Sequence, residues 1–410
     1  MTIYQITAVL LCLAALGGFI NQKYIGLPST IGHMAFALLV SLVGILLAAA
    51  GWIDLTLATA FLGTIDFSQV LLHGMLSFLL FAGALHINLA DLARVKWPVA
   101  ILATVGVVLA TAITGALVWM AAHFLGVDLP LIYALLFGAL IAPTDPIAVL
   151  AILKQVGAPK TLYTKIGGES LFNDGVGVVI FLTILSIAMT PEPPTALHVG
   201  LGFLREAGGG LALGAGLGWG TYRLMRAIDD YKTEALLTLA LVTGGYAIAE
   251  YIHVSAPICM VAAGLVVGNH GRAMAMSDIT KHRLDLFWEL LDEIMNAVLF
   301  MLIGLEILVI PIHLPQALMG ALAIIAVLAA RLVSVALPVT ILRLRTRFER
   351  GTIRLLTWGG LRGGLSIAMA LSLPAGPEKN LIVPMTYVVV LFSILVQGLT
   401  FRRLLAWVGR

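Results

Sequence analysis

Long apolar runs separated by brief polar loops dominate the chain. A helix crossing a bilayer needs roughly 20 mostly apolar residues, because it rises about 1.5 Å per residue through a hydrocarbon layer roughly 30 Å thick. The pattern predicts thirteen spans, at about 3–20, 28–50, 66–86, 97–122, 129–153, 160–189, 201–226, 233–252, 256–269, 286–310, 314–343, 352–374 and 380–401. The ninth is short. The loops leave no room for a separate soluble domain, so residues 1–410 read as one transmembrane domain.

Composition agrees. Apolar residues make up 60% of the 410 and charged residues 11%, against about 25% charged in soluble proteins. Mean hydropathy is +1.05. These values exclude a soluble enzyme, a disordered chain and a disulfide scaffold, and predict an all-α integral membrane protein. Cys12 and Cys259 sit in separate apolar runs, and neither CxxC nor HExxH occurs, so no redox pair, zinc helix or cofactor is expected. A net charge of +3 gives no reason to expect nucleic acid.

The placement of the charges says more than their sum. Of 24 Lys and Arg, Arg331 and Arg362 fall inside spans, Arg205 and Lys379 fall on one side, and the other 20 on the opposite side. That basic side includes Lys154, Lys160, Lys165, Arg343, Arg345, Arg347, Arg350 and Arg354. The positive-inside rule makes it cytoplasmic, with the N-terminus outside and the C-terminus inside. The first cation is Lys23, so residues 1–20 read as a retained span rather than a cleaved signal peptide.

Charges near the bilayer centre are costly and mark function. Asp145 lies in span 5, Glu169 and Asp174 in span 6, Arg331 in span 11 and Arg362 in span 12. Span 5 reads Ala142-Pro143-Thr144-Asp145-Pro146, and two prolines remove backbone donors there. Span 12 reads Gly359-Gly360-Leu361-Arg362-Gly363-Gly364. Both predict interrupted helices, whose freed carbonyls must face protein or a watery cavity. With 201–226 as a linker helix, residues 1–189 and 233–401 form two six-helix halves. The interruption then falls at the fifth helix of each half, and the two helices run in opposite directions. Such paired breaks in inverted repeats point to a secondary transporter with its site at the midplane. In span 6, Glu169 pairs with Asn173 and Ser170 with Asp174 at i,i+4, giving an oxygen-rich strip. Hard cations prefer oxygen ligands. Asp174, Asp145, Ser170 and Thr144, with freed carbonyls, are the candidate cation and proton ligands.

Four motifs then carry a resemblance: "APTDPIAVLAIL" at 142–153, "GESLFNDGVGVVIF" at 168–181, "MLIGLEI" at 301–307 and "GGLRGGLSIAMAL" at 359–371. In matching order over nearly the whole chain, they resemble the bacterial NhaP-type sodium/proton antiporters, relatives of the animal exchangers that carry an Asn-Asp pair. The resemblance implies thirteen helices, a homodimer in membrane lipid, and an ion-carrying core that rocks against a dimerisation unit. It implies that Asp174 takes the cation or the proton, that Thr144, Asp145 and Ser170 complete the site, and that Asn173 holds the crossing. It also makes Glu169 the acid that pairs with a membrane arginine, for which Arg331 is favoured over Arg362. One departure is Phe81-Ala82-Gly83-Ala84, where many relatives carry a glutamate.

Three midplane acids against two arginines leave one net negative charge, which one proton or one monovalent cation neutralises. The expected exchange is therefore a 1:1 electroneutral swap of Na+, and also Li+, for H+, with K+ as the rival cation. An intramembrane hydrolase would need a base beside Ser170, and a channel would need a repeated filter; neither pattern occurs. Glu289, Asp292, Glu293 and Asn296 open span 10. They read equally as an acidic cytoplasmic funnel or as a capped interfacial face. His33, His73 and His123 read as hydrogen-bonded single polar residues.

Overall fold

The structure is a computed structural model, and it describes residues 3–190, 195–271, 278–310, 313–344, 346 and 348–408. Arg345 and Arg347 of the basic loop lie outside the described residues. Apart from short helices at Thr56–Gly63 and Leu89–Arg94, thirteen helices follow one another among the described residues, the fifth and twelfth each in two halves. They are α1 (Tyr4–Ile25), α2 (Ser29–Ala49), α3 (Phe67–Leu85) and α4 (Lys96–Phe124), then α5a (Leu131–Ile141), α5b (Ile147–Gln155), α6 (Lys160–Met189), α7 (Ala196–Met225), α8 (Tyr231–Tyr251) and α9 (Ala256–Val266). After these come α10 (Asp278–Leu305), α11 (Leu314–Leu342), α12a (Thr352–Trp358) and α12b (Gly364–Leu371), and finally α13 (Pro377–Val408). Seven of them, α1–α4, α6, α11 and α13, are individually long and apolar enough to cross a membrane.

Two boundaries move from the hydropathy pattern. Helix α10 begins at Asp278 rather than 286, and α7 at Ala196 rather than 201. The added turns of α10 carry Lys281, His282, Arg283 and Asp285, polar residues that a helix can present beyond the apolar layer. A short helix, Thr56–Gly63, lies between α2 and α3; eight residues are too few to register as a span.

Local chemistry explains the helix starts. The Asp230 carboxylate accepts from Thr233 N and opens α8. The Ser255 hydroxyl accepts from Ile258 N at the start of α9, where Pro257 suits the first turn. π-helical turns at Val70–Met75, Leu102–Gly106 and Ser393–Gly398 interrupt α3, α4 and α13. Such turns shift the side-chain register within a helix.

Two large apolar clusters organise the packing. One joins α2, α5a, α5b, α10, α11, α12b and α13 around Phe137, Met301, Met369 and Phe401. The other joins α3, α8, α9 and the start of α10 around Trp288. Trp288 is fully buried, packs tilted against the Phe81 ring with centroids 4.7 Å apart and donates to the Thr238 hydroxyl at 3.1 Å. Phe81 is therefore apolar core. Trp52, Trp97 and Trp407 are exposed near helix ends, where amphipathic rings suit a membrane interface.

Candidate functional site

The two interrupted helices touch through their main chains. Pro143 and Pro146 bracket a non-helical stretch between α5a and α5b, and the glycines around Arg362 leave a similar gap between α12a and α12b. At the crossing, Asp145 N donates to Leu361 O at 2.8 Å, the isolated antiparallel bridge of the described residues. Glycine makes the approach feasible. A Cβ on Gly363 would lie 2.9 Å from Asp145 Cβ, and one on Gly360 would lie 2.6 Å from Arg331 Nε.

A hydroxyl and amide layer ties α6 to this gap. Thr144 Oγ1 and Ser170 Oγ are 2.9 Å apart. Asn173 Nδ2 donates to Thr144 Oγ1 at 2.8 Å, and Thr144 N donates to Asn173 Oδ1 at 3.2 Å. Thr144, Ser170 and Asn173 are all buried. Asn173 Oδ1 thus satisfies the one N–H of Thr144 in the unwound stretch, while its NH2 fixes the Thr144 hydroxyl.

The two aspartates differ from that layer. Asp145 and Asp174 are half-buried and lie within Coulombic range of each other. Asp145 Oδ1 accepts from Ile147 N at 2.9 Å, a local cap of α5b. Among the described residues no hydrogen bond reaches the Asp174 carboxylate. It is the acid of this group left free to take a ligand.

The arginines occupy the neighbouring depth. Arg331 Nη1 lies 2.6 Å from Glu169 Oε1, with both side chains buried. Arg331 Nε and Nη2 also donate to Leu356 O, at 3.3 and 3.2 Å, capping the end of α12a. Arg362 is buried. Its Nη1 donates to Gly360 O at 2.7 Å, its backbone N donates to the Ser393 hydroxyl at 2.8 Å, and its Nε has no partner. Arg331 therefore neutralises Glu169, and Arg362 sits among carbonyls freed by the break.

The acidic trio on α10 separates by helix face. Glu289 and Glu293 are exposed and Asp292 is half-buried. Glu293 lines a groove of about 550 Å³ with Asn21, Ser29 and His33. Asp292 instead lies within Coulombic range of Asp145. His33 contacts the carbonyls of Ser29 at 2.7 Å and Ala14 at 3.1 Å. His73 lies 3.3 Å from Glu250, and His123 stacks at 6.1 Å on Trp119.

Three features escape the motif reading. Lys165, one turn below Glu169, is buried with its Nζ 2.8 Å from Glu349 Oε2, and Thr161 Oγ1 donates to Glu349 Oε1 at 2.5 Å. This ties the basic end of α6 to the connection between α11 and α12a. Ser393 and Gln397 reach back from the π turn of α13 to the gap, Gln397 through Trp358 O at 3.0 Å. Asn296 is buried with an unpartnered Oδ1. Asn296 is legible as part of the polar opening of span 10, whereas the pairing of Lys165 with Glu349 and the reach of Ser393 and Gln397 carry no signal along the chain.

Among the described residues no group of three or more His, Cys, Asp or Glu could hold a metal ion. What the crossing offers is two aspartates, two hydroxyls and main-chain oxygens, a donor set for a hard monovalent cation or a proton.

Comparisons with known proteins agree in kind. The family model described as "Sodium/hydrogen exchanger, transmembrane" matches residues 9–407. The chain is 51% identical over 405 residues to the Na(+)/H(+) antiporter NhaP of Pseudomonas aeruginosa, covering 97% of this chain and 95% of that one. It is 39% identical over 305 residues to the Na(+)/H(+) antiporter NhaH of Halobacillus dabanensis, covering 73% and 74%. Among solved structures, the sodium proton antiporter MjNhaP1 of Methanocaldococcus jannaschii at pH 8 superposes with a TM-score of 0.78 at 19% identity, covering 100% of this chain and 99% of that one.

Proposed function

The chain belongs to the sodium/hydrogen exchanger family, and on that premise we propose that the crossing of α5 and α12 exchanges Na+ for H+ through the carboxylate of Asp174. The protein is a multi-pass membrane antiporter, a secondary transporter and not an enzyme. The observation that carries the site assignment is the pair of half-buried aspartates at the main-chain crossing, of which Asp174 has no hydrogen bond among the described residues.

In this reading Asp174 takes either ion. Asp145, Thr144 and Ser170 supply further oxygens to Na+ or Li+. Asn173 holds the gap open, and Glu169, Arg331 and Arg362 set the background charge. Three acids and two arginines leave one negative charge when the site is empty. Moving that bare charge through a low-dielectric barrier is costly, whereas the core loaded with one proton or one monovalent cation is neutral. Exchange follows because the core crosses loaded with one ion or the other. The swap is 1:1 and electroneutral, by alternating access. Glu289, Asp292 and Glu293 raise the local cation concentration at the cytoplasmic mouth. The basic loops support an N-terminus outside and a cytoplasmic C-terminus. The protein works as a homodimer in the cell membrane, with no cofactor; the transported ions are its cargo.

The test uses purified protein in liposomes holding a pH-sensitive dye, with Na+, Li+, K+ and Rb+ compared across pH 6–9. Dequenching with Na+ and Li+ and not with K+ is the expected result, and a K+ response equal to that of Na+ would replace the cargo. With valinomycin clamping the voltage, the exchange rate should not depend on the sign of the membrane potential.

A further inference from the structure

A second oxygen site faces the crossing from α10, and it rests on the exchange reading above. Helix α10 passes directly beside the start of α12b: a Cβ on Gly364 would lie 3.0 Å from Leu299 Cγ. Asn296 and Asp292 stand three and seven residues before Leu299, about 4.5 and 10.5 Å further toward the basic end of the helix. They are i,i+4 and therefore share a face. Asn296 Nδ2 donates to Asp292 O at 2.9 Å. Its Oδ1 has no partner, although the residue is only 3% exposed. A buried carbonyl oxygen without a donor is expensive to keep, and an oxygen that cannot find a proton donor is suited to a cation. The Asp292 carboxylate, half-buried on the same face, lies within Coulombic range of Asp145.

We propose that Asp292 and Asn296 form a transit site for the monovalent cation, which receives it from the cytoplasm and passes it to Asp145 and Asp174. The site is built from a different helix than the final one. A cation there exchanges part of its hydration shell for Asn296 Oδ1 and an Asp292 oxygen before it reaches the crossing. Dehydration is thereby divided into two smaller steps. The ligand class is a hard alkali cation, Na+ or Li+. Protons need no such site, since they arrive through water.

Asp292 differs from Glu289 and Glu293 by adding direct contact to the field that all three supply. The two glutamates act through long-range field alone and weaken with salt. The contact that Asp292 and Asn296 add does not.

The experiment measures cation-dependent exchange in everted and right-side-out membrane vesicles, with wild type, Asp292→Asn, Asn296→Leu and Asn296→Asp. The first two replacements are near-isosteric and remove one oxygen function each. Offered from the cytoplasmic face, Na+ should show a KM raised roughly tenfold in both, the order expected when one ligand to a charge is lost, with the maximal rate kept. Offered from the opposite face, KM should stay at the wild-type value. Asn296→Asp, which keeps an acceptor and adds charge, should hold KM at or below wild type. A purely structural role would change both faces alike or lower the maximal rate. An unchanged KM in Asp292→Asn and Asn296→Leu, or an equal change at both faces, overturns the transit site. If Asn296→Leu does not reach the membrane, Asp292→Asn and Asn296→Asp decide the matter. Absence of exchange in wild type would instead overturn the exchange reading itself.

Discussion

Asn173 and Thr144 hold each other twice: the Asn173 amide donates to the Thr144 hydroxyl at 2.8 Å, and the Thr144 backbone N–H donates to the Asn173 carbonyl oxygen at 3.2 Å. One side chain of α6 thereby holds the N–H and the hydroxyl of Thr144 within the stretch that Pro143 and Pro146 bracket. Asn173→Ala leaves the Thr144 N–H unpaired, while the Thr144 hydroxyl keeps Ser170 at 2.9 Å, and a loss of about 1–3 kcal/mol is expected. Thermal unfolding in detergent should show a clear fall in Tm. An unchanged Tm would mean that the gap holds itself open.

Asp174→Asn keeps size and shape but removes the titratable charge. The expected outcome is loss of exchange for every cation, with the elution profile and Tm of wild type or better, since a half-buried charge has been removed. Residual Na+ movement driven by a pH step in liposomes would show that another group carries the ions.

The buried pair of Glu169 and Arg331 makes a different prediction. Removing one partner strands the other charge, which costs about 3–5 kcal/mol. Glu169→Met and Arg331→Leu should each unfold at markedly lower temperature than wild type. The double replacement Glu169→Met with Arg331→Leu should recover much of the loss. A double-mutant cycle that sums without coupling would place the two side chains apart.

Glu349 gives a prediction in pH. Burial pushes its carboxyl up, but hydrogen bonds from Lys165 and Thr161 outweigh that and hold it below its ordinary value of 4.5. A depressed acid contributes stability that is fully present above the unfolded value and is lost as pH falls through the folded one. Glu349→Gln should therefore be less stable than wild type at pH 7. The gap should begin to close below about pH 4.5. A constant gap down to pH 3 would remove the ion pair as its cause.

Much of this arrangement is legible along the chain, for physical reasons. Helices in lipid must satisfy their own backbones, so apolar length gives the thirteen segments almost directly. The gaps at 142–146 and 359–364 announce themselves because proline and glycine act on the residues beside them. Partnerships between helices are another matter. Which arginine meets Glu169 depends on the rotation of α11, and that is set by packing over the whole helix. Glu349 reaches Lys165 from 184 residues away, and nothing near either residue encodes the meeting. The orphaned oxygen of Asn296 is likewise invisible until α12b lies across α10. The short helix at Thr56–Gly63 escapes because hydropathy windows register length, not local order.

The seam between Asp145 and Leu361 is an amide touching a carbonyl, so among the coded residues only proline at 145, which lacks the N–H, deletes it outright. Side chains beyond the glycines that flank it can vary toward a different ion or affinity while the joint between the two half-helices persists. An amide-to-ester replacement introduced at position 145 removes the same donor without proline's ring. Cargo preference and the joint between the half-helices therefore answer to different atoms.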